Sequence, residues 1–532
     1  MSTTDAVAAA IREGRTALGI ELGSTRIKAC LVLADDPTRV LAVGGHAWEN
    51  RLDGRNWTYA IDEVWTGLQS AFAELVDDVE KTHGVRPDVF GAIGISAMMH
   101  GYLAFDAQDE LLVPFRTWRN TTTGAAAAEL SELFGTNIPL RWSVAHVRQA
   151  VLDAEPHVPD VRFVTTLAGY VHWRLTGRRV LGIGDASGMF PIDSATNDYD
   201  ERMLAQFDAL SADGPLAGAL RDLLPEVLVA GEDAGSLTPA GAALLDPSGA
   251  LRAGIALCPP EGDAGTGMVA TGAVAPRTGN VSAGTSIFAM VVLERALSQP
   301  HEELDLVTTP AGDPVAMVHC NNGASELAAW VGLFHRFAAA SGTALDADAV
   351  YGVLFEEALA GAADAGGLLA YNHLAGEPIV GTDAGRPLFV RTPDSDFSLA
   401  NVMRAQLYGV FGTLALGMRV LDGEQVGLDR MFAHGGMFRT AGVAQRFLAA
   451  ALDAPVAVGD TAAEGGAWGA AVLAAYLTHA DTDLSAYLAD DVFAAAAVDV
   501  ADPDPADVAG FASFLDRYSA GLAVERAAVE HL

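Results

Sequence analysis

The run Ala17-Leu18-Gly19-Ile20-Glu21, Leu22-Gly23-Ser24-Thr25-Arg26 and Ile27-Lys28-Ala29-Cys30-Leu31-Val32-Leu33 is the most informative stretch of the chain. Its first part reads as a buried strand, its middle as a tight turn rich in glycine and hydroxyl residues, and its last part as a returning strand. Together they predict a hairpin. Downstream, a helical pattern over 61–80 and an apolar strand over 90–96 lead into Ala97-Met98-Met99-His100-Gly101. Strands alternating with helices in this order predict an α/β architecture.

A second hairpin is expected in the other half of the chain. Gly279-Asn280-Val281-Ser282, the turn Ala283-Gly284-Thr285-Ser286 and the strand from Ile287 to Leu293 repeat the same plan, offset by 284 − 23 = 261 residues. Two such units predict a duplicated domain. The Gly/Pro-punctuated stretch from Thr271 to Thr278 places the boundary near Pro276, giving domains over 1–275 and 276–532. Residues 477–532 carry Ala501-Asp502-Pro503-Asp504-Pro505 and then a final helix, read as a cap on the second domain.

Composition removes whole classes of function. The 32 basic and 68 acidic residues among 532 leave a formal charge of 32 − 68 = −36, and only Lys28 and Lys81 are lysines. A chain so acidic, with no basic patch, lacks the Lys and Arg clusters that grip phosphate backbones, so no nucleic-acid partner is expected. No long uninterrupted apolar run appears, so no membrane span is expected. The N-terminal residues lack the basic start and apolar core of a signal peptide. Cys30, Cys258 and Cys320 stand far apart without a CxxC, which fits a reducing cytoplasm better than a disulfide framework or a zinc site.

The common nucleotide motifs, GxxxxGK[ST] and GxGxxG after a strand, are absent, as is HExxH. The hairpin turns offer another route to phosphate. Glycine lets an anion approach the backbone, and exposed N–H groups and hydroxyls donate to its oxygens. Taken singly, such a turn is more often only a turn; as a pair they carry more weight.

The segment from Glu21 to Lys28 resembles the first phosphate motif of the FGGY family of carbohydrate kinases, within the actin-like ATPase superfamily. Further resemblances follow in order. Ala97-Met98-Met99-His100-Gly101 is similar to the sugar-contacting segment of the family's xylulokinases, Gly262-Asp263-Ala264-Gly265 to the segment with the catalytic aspartate, and Ser282-Ala283-Gly284-Thr285-Ser286 to the second phosphate motif. His434-Gly435-Gly436-Met437-Phe438-Arg439, followed by Glu464-Gly465-Gly466-Ala467-Trp468-Gly469-Ala470-Ala471, resembles the adenosine-binding region and the small-residue helix after it.

The resemblance implies two ribonuclease-H-like domains with a nucleotide and sugar cleft between them, and ATP-dependent phosphorylation of a small sugar, with a ketopentose such as D-xylulose as the first choice. L-ribulose, L-xylulose and ribitol are the alternatives. It implies Asp263 as the base, Met99, His100, Trp118, Arg119, Asn120 and Asp263 around the sugar, and Gly23, Ser24, Thr25, Lys28, Gly284, Thr285, Ser286, Gly435, Gly436 and Arg439 around ATP. Glu21 and Asp263 are the implied Mg²⁺ carboxylates, Glu21 standing where relatives carry Asp. A cytoplasmic enzyme is expected, with a homodimer as the candidate assembly.

Several residues keep a second reading. Asp263 is also placed to N-cap the next helix. Lys28 faces either the phosphates or solvent, and His100 is either a sugar ligand or a satisfied core histidine. Relatives show Trp-x-Asp-x-Arg where this chain has Trp118-Arg119-Asn120-Thr121-Thr122, and Asn after the catalytic aspartate where it has Ala264, so the pocket's hydrogen-bond code differs from the xylulokinase pattern. Asp185-Ala186-Ser187-Gly188 is read as architectural, and Asn321-Asn322-Gly323 and His373 as polar spots without a role. An actin-like nucleotide-dependent binding or assembly protein would use the same hairpins but would not need Met99, His100 or Asp263.

Overall fold

The computed structural model describes residues 3–216, 218–343, 345–440, 442–459, 465–496 and 498–532. In chain order, the elements that build the first half of the site are β1 (Thr16–Leu22), β2 (Arg26–Leu33), β3 (Asp36–Ala47), α1 (Ile61–His83), β4 (Ala92–Ala97), β5 (Ala256–Leu257), β6 (Glu261–Gly262) and α2 (Asp263–Thr271). They are followed by β7 (Thr278–Ala283), β8 (Ile287–Val292), α3 (Leu399–Gly423), β9 (Arg430–His434), β10 (Val456–Gly459), α4 (Gly465–Tyr476) and α5 (Pro505–His531). Among the described residues, no helix is long and apolar enough to cross a membrane.

The chain divides into two compact units. One comprises Met1–Ala275, Leu306–Val315 and Thr461–Ala496; the other comprises Pro276–Asp305, Ala316–Asp460 and Ala497–Leu532.

In the first unit β1 and β2 form the antiparallel hairpin expected from sequence, and β3 extends it. On the other edge of β1 the direction changes: β4 runs parallel to it, and the short strands β5 and β6 run parallel to β4. Because β1 is covered on both faces, nearly all its side chains are buried and it lacks the alternation of a half-exposed strand. One cover is α1, whose Val64, Leu68, Phe72, Leu75 and Val79 recur at helical spacing and turn inward. Gly84, in the left-handed region at φ 66°, ends this helix. The opposite face carries α4. Here the backbones nearly touch: a Cβ built on Gly19 would lie 1.9 Å from the Ala467 carbonyl oxygen, and one on Gly94 2.1 Å from that of Ala470. Only glycine in the strands lets the helix seat so deeply.

The second unit repeats the plan. β7 and β8 are antiparallel, while β9 is parallel to β7 and β10 parallel to β9. The 25-residue α3 is largely buried against this unit. At the start of α5, Asp504 caps the helix by accepting from the amides of Ala506 and Asp507, which accounts for the Asp504-Pro505 pair.

Candidate functional site

In the first unit, two-residue β6 ends at Gly262 and α2 begins at once with Asp263. Gly262 occupies the N-cap position, so Asp263 is the first helical residue and the capping reading does not describe it. Its Oδ1 instead accepts from the amide of Met99 at 3.1 Å. Glycine at 262 permits this approach, because a Cβ there would lie 2.9 Å from Met99 Cγ. Asp263 is half-buried, open enough to be reached. Burial nevertheless raises its pKa above the usual carboxylate range, outweighing the amides of Met99, Ala264 and Asp263 that favour the charged form.

Residues 99–101 form a tight bend. His100 is buried with φ 70°, an uncommon conformation for a non-glycine residue, and Gly101 follows at φ 98°. His100 Nδ1 lies 3.2 Å from the Gly188 carbonyl, which can only accept, so the proton sits on Nδ1. Tyr102 then donates its amide to the Arg116 carbonyl, tying this bend to the loop that carries Trp118, Arg119 and Asn120. In that loop Trp118 packs against the core, and the exposed Arg119 guanidinium lies 4.2 Å from the Trp57 ring and donates to Asn50. The amide of Asn120 is engaged at both ends: Oδ1 accepts from Trp57 N at 2.7 Å, and Nδ2 donates to the carbonyls of Trp57 and Thr117. Asn120 therefore braces the loop, and its Oδ1 keeps a second lone pair.

Glu21 lies one strand over. It pairs with Lys28 across the hairpin and with Ser96 on β4, and Ser96 in turn pairs with Glu261 on β6. Cross-strand partners share a sheet face, so Lys28 lies on the Glu21 side. Ser96 Oγ and Thr266 Oγ1 are 2.8 Å apart, and a Cβ on Gly466 would lie 2.6 Å from Glu21 Oε1. The Glu21 carboxylate thus rests against the first turn of α4, where a helix N-terminus favours negative charge. At the hairpin tip, the carbonyls of Gly23, Ser24 and Thr25 accept from Trp48 Nε1, Tyr59 OH and Trp48 N, and the two aromatic rings stack at 4.2 Å. This frame fixes the turn and leaves Thr25 exposed at its tip.

Two further acids lie behind Asp263, and sequence reading gave neither a role in the site. Glu261 accepts from the amides of Gly184 and Asp185 at 3.2 and 2.9 Å, while Asp185 Oδ2 accepts from Thr166 Oγ1 at 2.6 Å. Burial, helped by the neighbouring acid, pushes Glu261 up to about 8. Burial also pushes Asp185 up to about 7, with Asp263 adding to the effect. Asp185 Oδ1 is buried with no hydrogen-bond partner among the described residues and would lie 3.2 Å from a Cβ on Gly262. The Asp-Ala-Ser-Gly segment at 185–188 was the available signal.

The second unit gathers the remaining candidates at the tip of its own hairpin. Gly284 and Thr285 are exposed between β7 and β8. Gly435, at φ 118°, directly follows β9, and a Cβ there would lie 2.2 Å from the Ala283 carbonyl oxygen. That contact brings Gly435 to the start of the Gly284-Thr285-Ser286 turn, and Gly436 and the exposed Arg439 follow it in a short 3-10 helix. Burial lowers the pKa of the adjacent His434. Glu464 lies outside the described residues.

Residues 16–247 match the N-terminal domain of the FGGY family of carbohydrate kinases, and residues 279–478 match its C-terminal domain. The chain belongs to this family. It is 26% identical to a xylulose kinase of Escherichia coli over 296 residues, 53% of this chain and 55% of that one. The chain spans about half the length of the first curated relatives it matches. Among solved structures, a xylulose kinase from Rhodospirillum rubrum superposes with a TM-score of 0.77 at 22% identity, covering 96% of this chain and 99% of that one. A gluconate kinase from Lactobacillus acidophilus gives 0.75 at 18%, covering 96% and 98%. At these identities the likeness is one of fold, and it extends across both FGGY domains.

The residues present suit a hydrated Mg²⁺. Glu21 lies one residue before the end of β1 and Asp263 directly follows β6, and both strands are joined through β4. Among the described residues no cluster of three or more His, Cys, Asp or Glu forms a closed cage. Mg²⁺ commonly keeps several waters and takes only one or two carboxylates alongside substrate phosphates.

Proposed function

We propose that the protein is an ATP-dependent sugar kinase that transfers the γ-phosphoryl group to a hydroxyl of a small polyhydroxylated substrate, with a ketopentose such as D-xylulose as the first choice. The observation that carries this reading is the half-buried Asp263 at the start of α2, docked on the amide of Met99 with a proton affinity raised by burial. Phosphoryl transfer needs positioning, charge neutralisation and a carboxylate to take the proton of the attacking hydroxyl. Asp263 fills the last role. His100, its tautomer fixed by Gly188, and Met99 line the sugar side, with Trp118 as a flat wall and Arg119 at the rim. Asn120 holds the loop in place.

The Gly23-Ser24-Thr25 turn with Lys28, and the Gly284-Thr285-Ser286 turn, receive the phosphates through backbone N–H groups and hydroxyls. Gly435, Gly436 and Arg439 take the nucleoside end. When bound, Mg²⁺ would neutralise charge between the terminal phosphates, held through water by Glu21 and Asp263. The extra methylene of Glu21 lengthens its reach relative to an aspartate, which leaves direct contact or a shifted metal position open beside contact through water.

The test is ADP release across D-xylulose, L-xylulose, L-ribulose, ribitol, glycerol and gluconate. Stimulation by D-xylulose above the others is the expected result. Stimulation by another member of the panel would reassign the substrate and leave the kinase standing. ATP turnover that no sugar or polyol stimulates would overturn the kinase reading.

A further inference from the structure

The polar segment Asn321-Asn322-Gly323 lies directly behind the Gly284-Thr285-Ser286 turn. Gly323 donates its amide to the Thr285 carbonyl and Ala324 donates to that of Gly284, each at 2.8 Å. The two backbones are in contact: a Cβ on Gly323 would lie 2.5 Å from Gly284 O and 2.7 Å from Ser286 O. Any shift of residues 322–324 must therefore shift the turn. Asn322 anchors that backing segment. Its Oδ1 accepts from the amides of Leu374 and Ala375, at 2.8 and 2.9 Å. Its own amide N–H and its Nδ2 both donate to one oxygen of Glu377, at 3.2 and 3.0 Å. Asn372 Nδ2 completes the frame by donating to the carbonyls of Asn322 and Gly323, both at 2.9 Å.

Glu377, Asn322 and Asn372 are all buried, Glu377 completely. A buried carboxylate is costly unless donors converge on it. Here Asn322 supplies two of those donors, its amide N–H and its Nδ2, and the amides of Asn321 and Ile379 add to them. We infer that Glu377 is a positioning residue for the Gly284-Thr285-Ser286 turn, acting through Asn322 and the amides of Gly323 and Ala324, so that it sets the enzyme's affinity for the phosphates of ATP without touching them. The inference rests on the proposal that this turn receives those phosphates.

The experiment uses the full chain and two readouts. Hydrogen exchange without ligand reports the brace itself: Glu377→Ala should raise exchange of the amides of Gly323 and Ala324, which donate to the turn, about tenfold, as the loss of one or two buried hydrogen bonds allows, while 23–26 stay unchanged. Steady-state kinetics report its consequence: KM for ATP should rise about tenfold, with KM for the sugar within about twofold of wild type. Asn372→Leu, which keeps bulk but removes both donations from the other side of the frame, should reproduce both effects and covers the case in which Glu377→Ala does not fold. Glu377→Gln, which retains an oxygen acceptor for Asn322, should recover much of the ATP affinity. Unchanged exchange at Gly323 and Ala324, or raised exchange there with an unchanged KM for ATP, would overturn the inference. A wild-type chain that binds no ATP by calorimetry would overturn the kinase proposal, and the link to ATP with it, while the exchange readout still reports whether the brace exists.

Discussion

Asp263→Asn separates a base from a structural acid. Asparagine keeps the shape of the side chain and an oxygen that can accept the Met99 amide at the 3.1 Å contact, so the 99–101 bend should hold. What it loses is charge and proton affinity. A positioned general base contributes roughly 10²- to 10⁴-fold to rate, or about 3 to 5.5 kcal/mol at 1.36 kcal/mol per tenfold. Sugar-dependent ADP release should therefore fall by about that factor, with ATP binding by calorimetry little changed. Stability should move the other way. Burial raises the pKa of Asp263 in the fold, so the unfolded chain gives up this proton first, and the fold loses stability as pH rises above the ordinary aspartate range. Asparagine never ionises and is spared that loss, so its urea midpoint at pH 8 should equal or exceed that of wild type. A variant that turns over normally but unfolds at lower urea would show that Asp263 supports the fold, and the assignment as base would fall.

Three further outcomes follow from the same geometry. Asp185 and Glu261 are raised to about 7 and about 8 from ordinary values of 3.8 and 4.5, so their contribution to stability is full below about pH 4 and is lost as pH rises through 7 to 8. Asp185→Asn should flatten part of that decline, read as a smaller difference in urea midpoint between pH 5 and pH 8; an unchanged slope would mean that the acid is ionised in the fold throughout. Gly19→Ala drives a methyl to 1.9 Å from the Ala467 carbonyl, so α4 must lift from β1, and a loss of about 3 kcal/mol or more is expected by urea titration; a loss under about 1 kcal/mol would refute that close approach. Glu21→Gln should raise the Mg²⁺ concentration for half-maximal activity about tenfold, and a Mg²⁺ curve superimposable on wild type would remove Glu21 from the metal.

Local signals carried the sequence reading a long way. Both hairpins were legible because their turns concentrate glycine and hydroxyl residues between apolar strands, and the pairings Leu22 with Ile27 and Ala283 with Ile287 close them where the residues predict. The helix read over 61–80 runs on to His83, because Gly84 rather than a change in periodicity ends it. The strand read from Phe90 begins at Ala92. Beyond such local signals the reading thinned. Trp48 and Tyr59 fix the first turn from 25 and 35 residues away, where no spacing rule connects an indole to a carbonyl. The bonds from Gly184 and Asp185 to Glu261 cross 77 and 76 residues, and the buried partners that shift both acids are themselves products of folding.

The glycines show where legibility ends for a physical reason. In Ala17-Leu18-Gly19-Ile20 the glycine weakens a strand on propensity alone, and in Gly465-Gly466-Ala467-Trp468-Gly469 the glycines weaken a helix. Each conflict is visible in the sequence, and each marks a surface that something must approach closely. What the sequence does not carry is that some of these surfaces meet: Gly19 receives the Ala467 carbonyl, Gly94 receives that of Ala470, and Gly469 faces the Thr266 carbonyl at 2.1 Å from its virtual Cβ. The helix that looks poorest by propensity thus locks β1, β4 and α2 together, and Glu21 lies in β1, Met99 two residues beyond β4 and Asp263 at the start of α2. A methyl added at any of these contacts would move the acids relative to one another, and that is why residues with no chemistry of their own stand so close to the ones that have it.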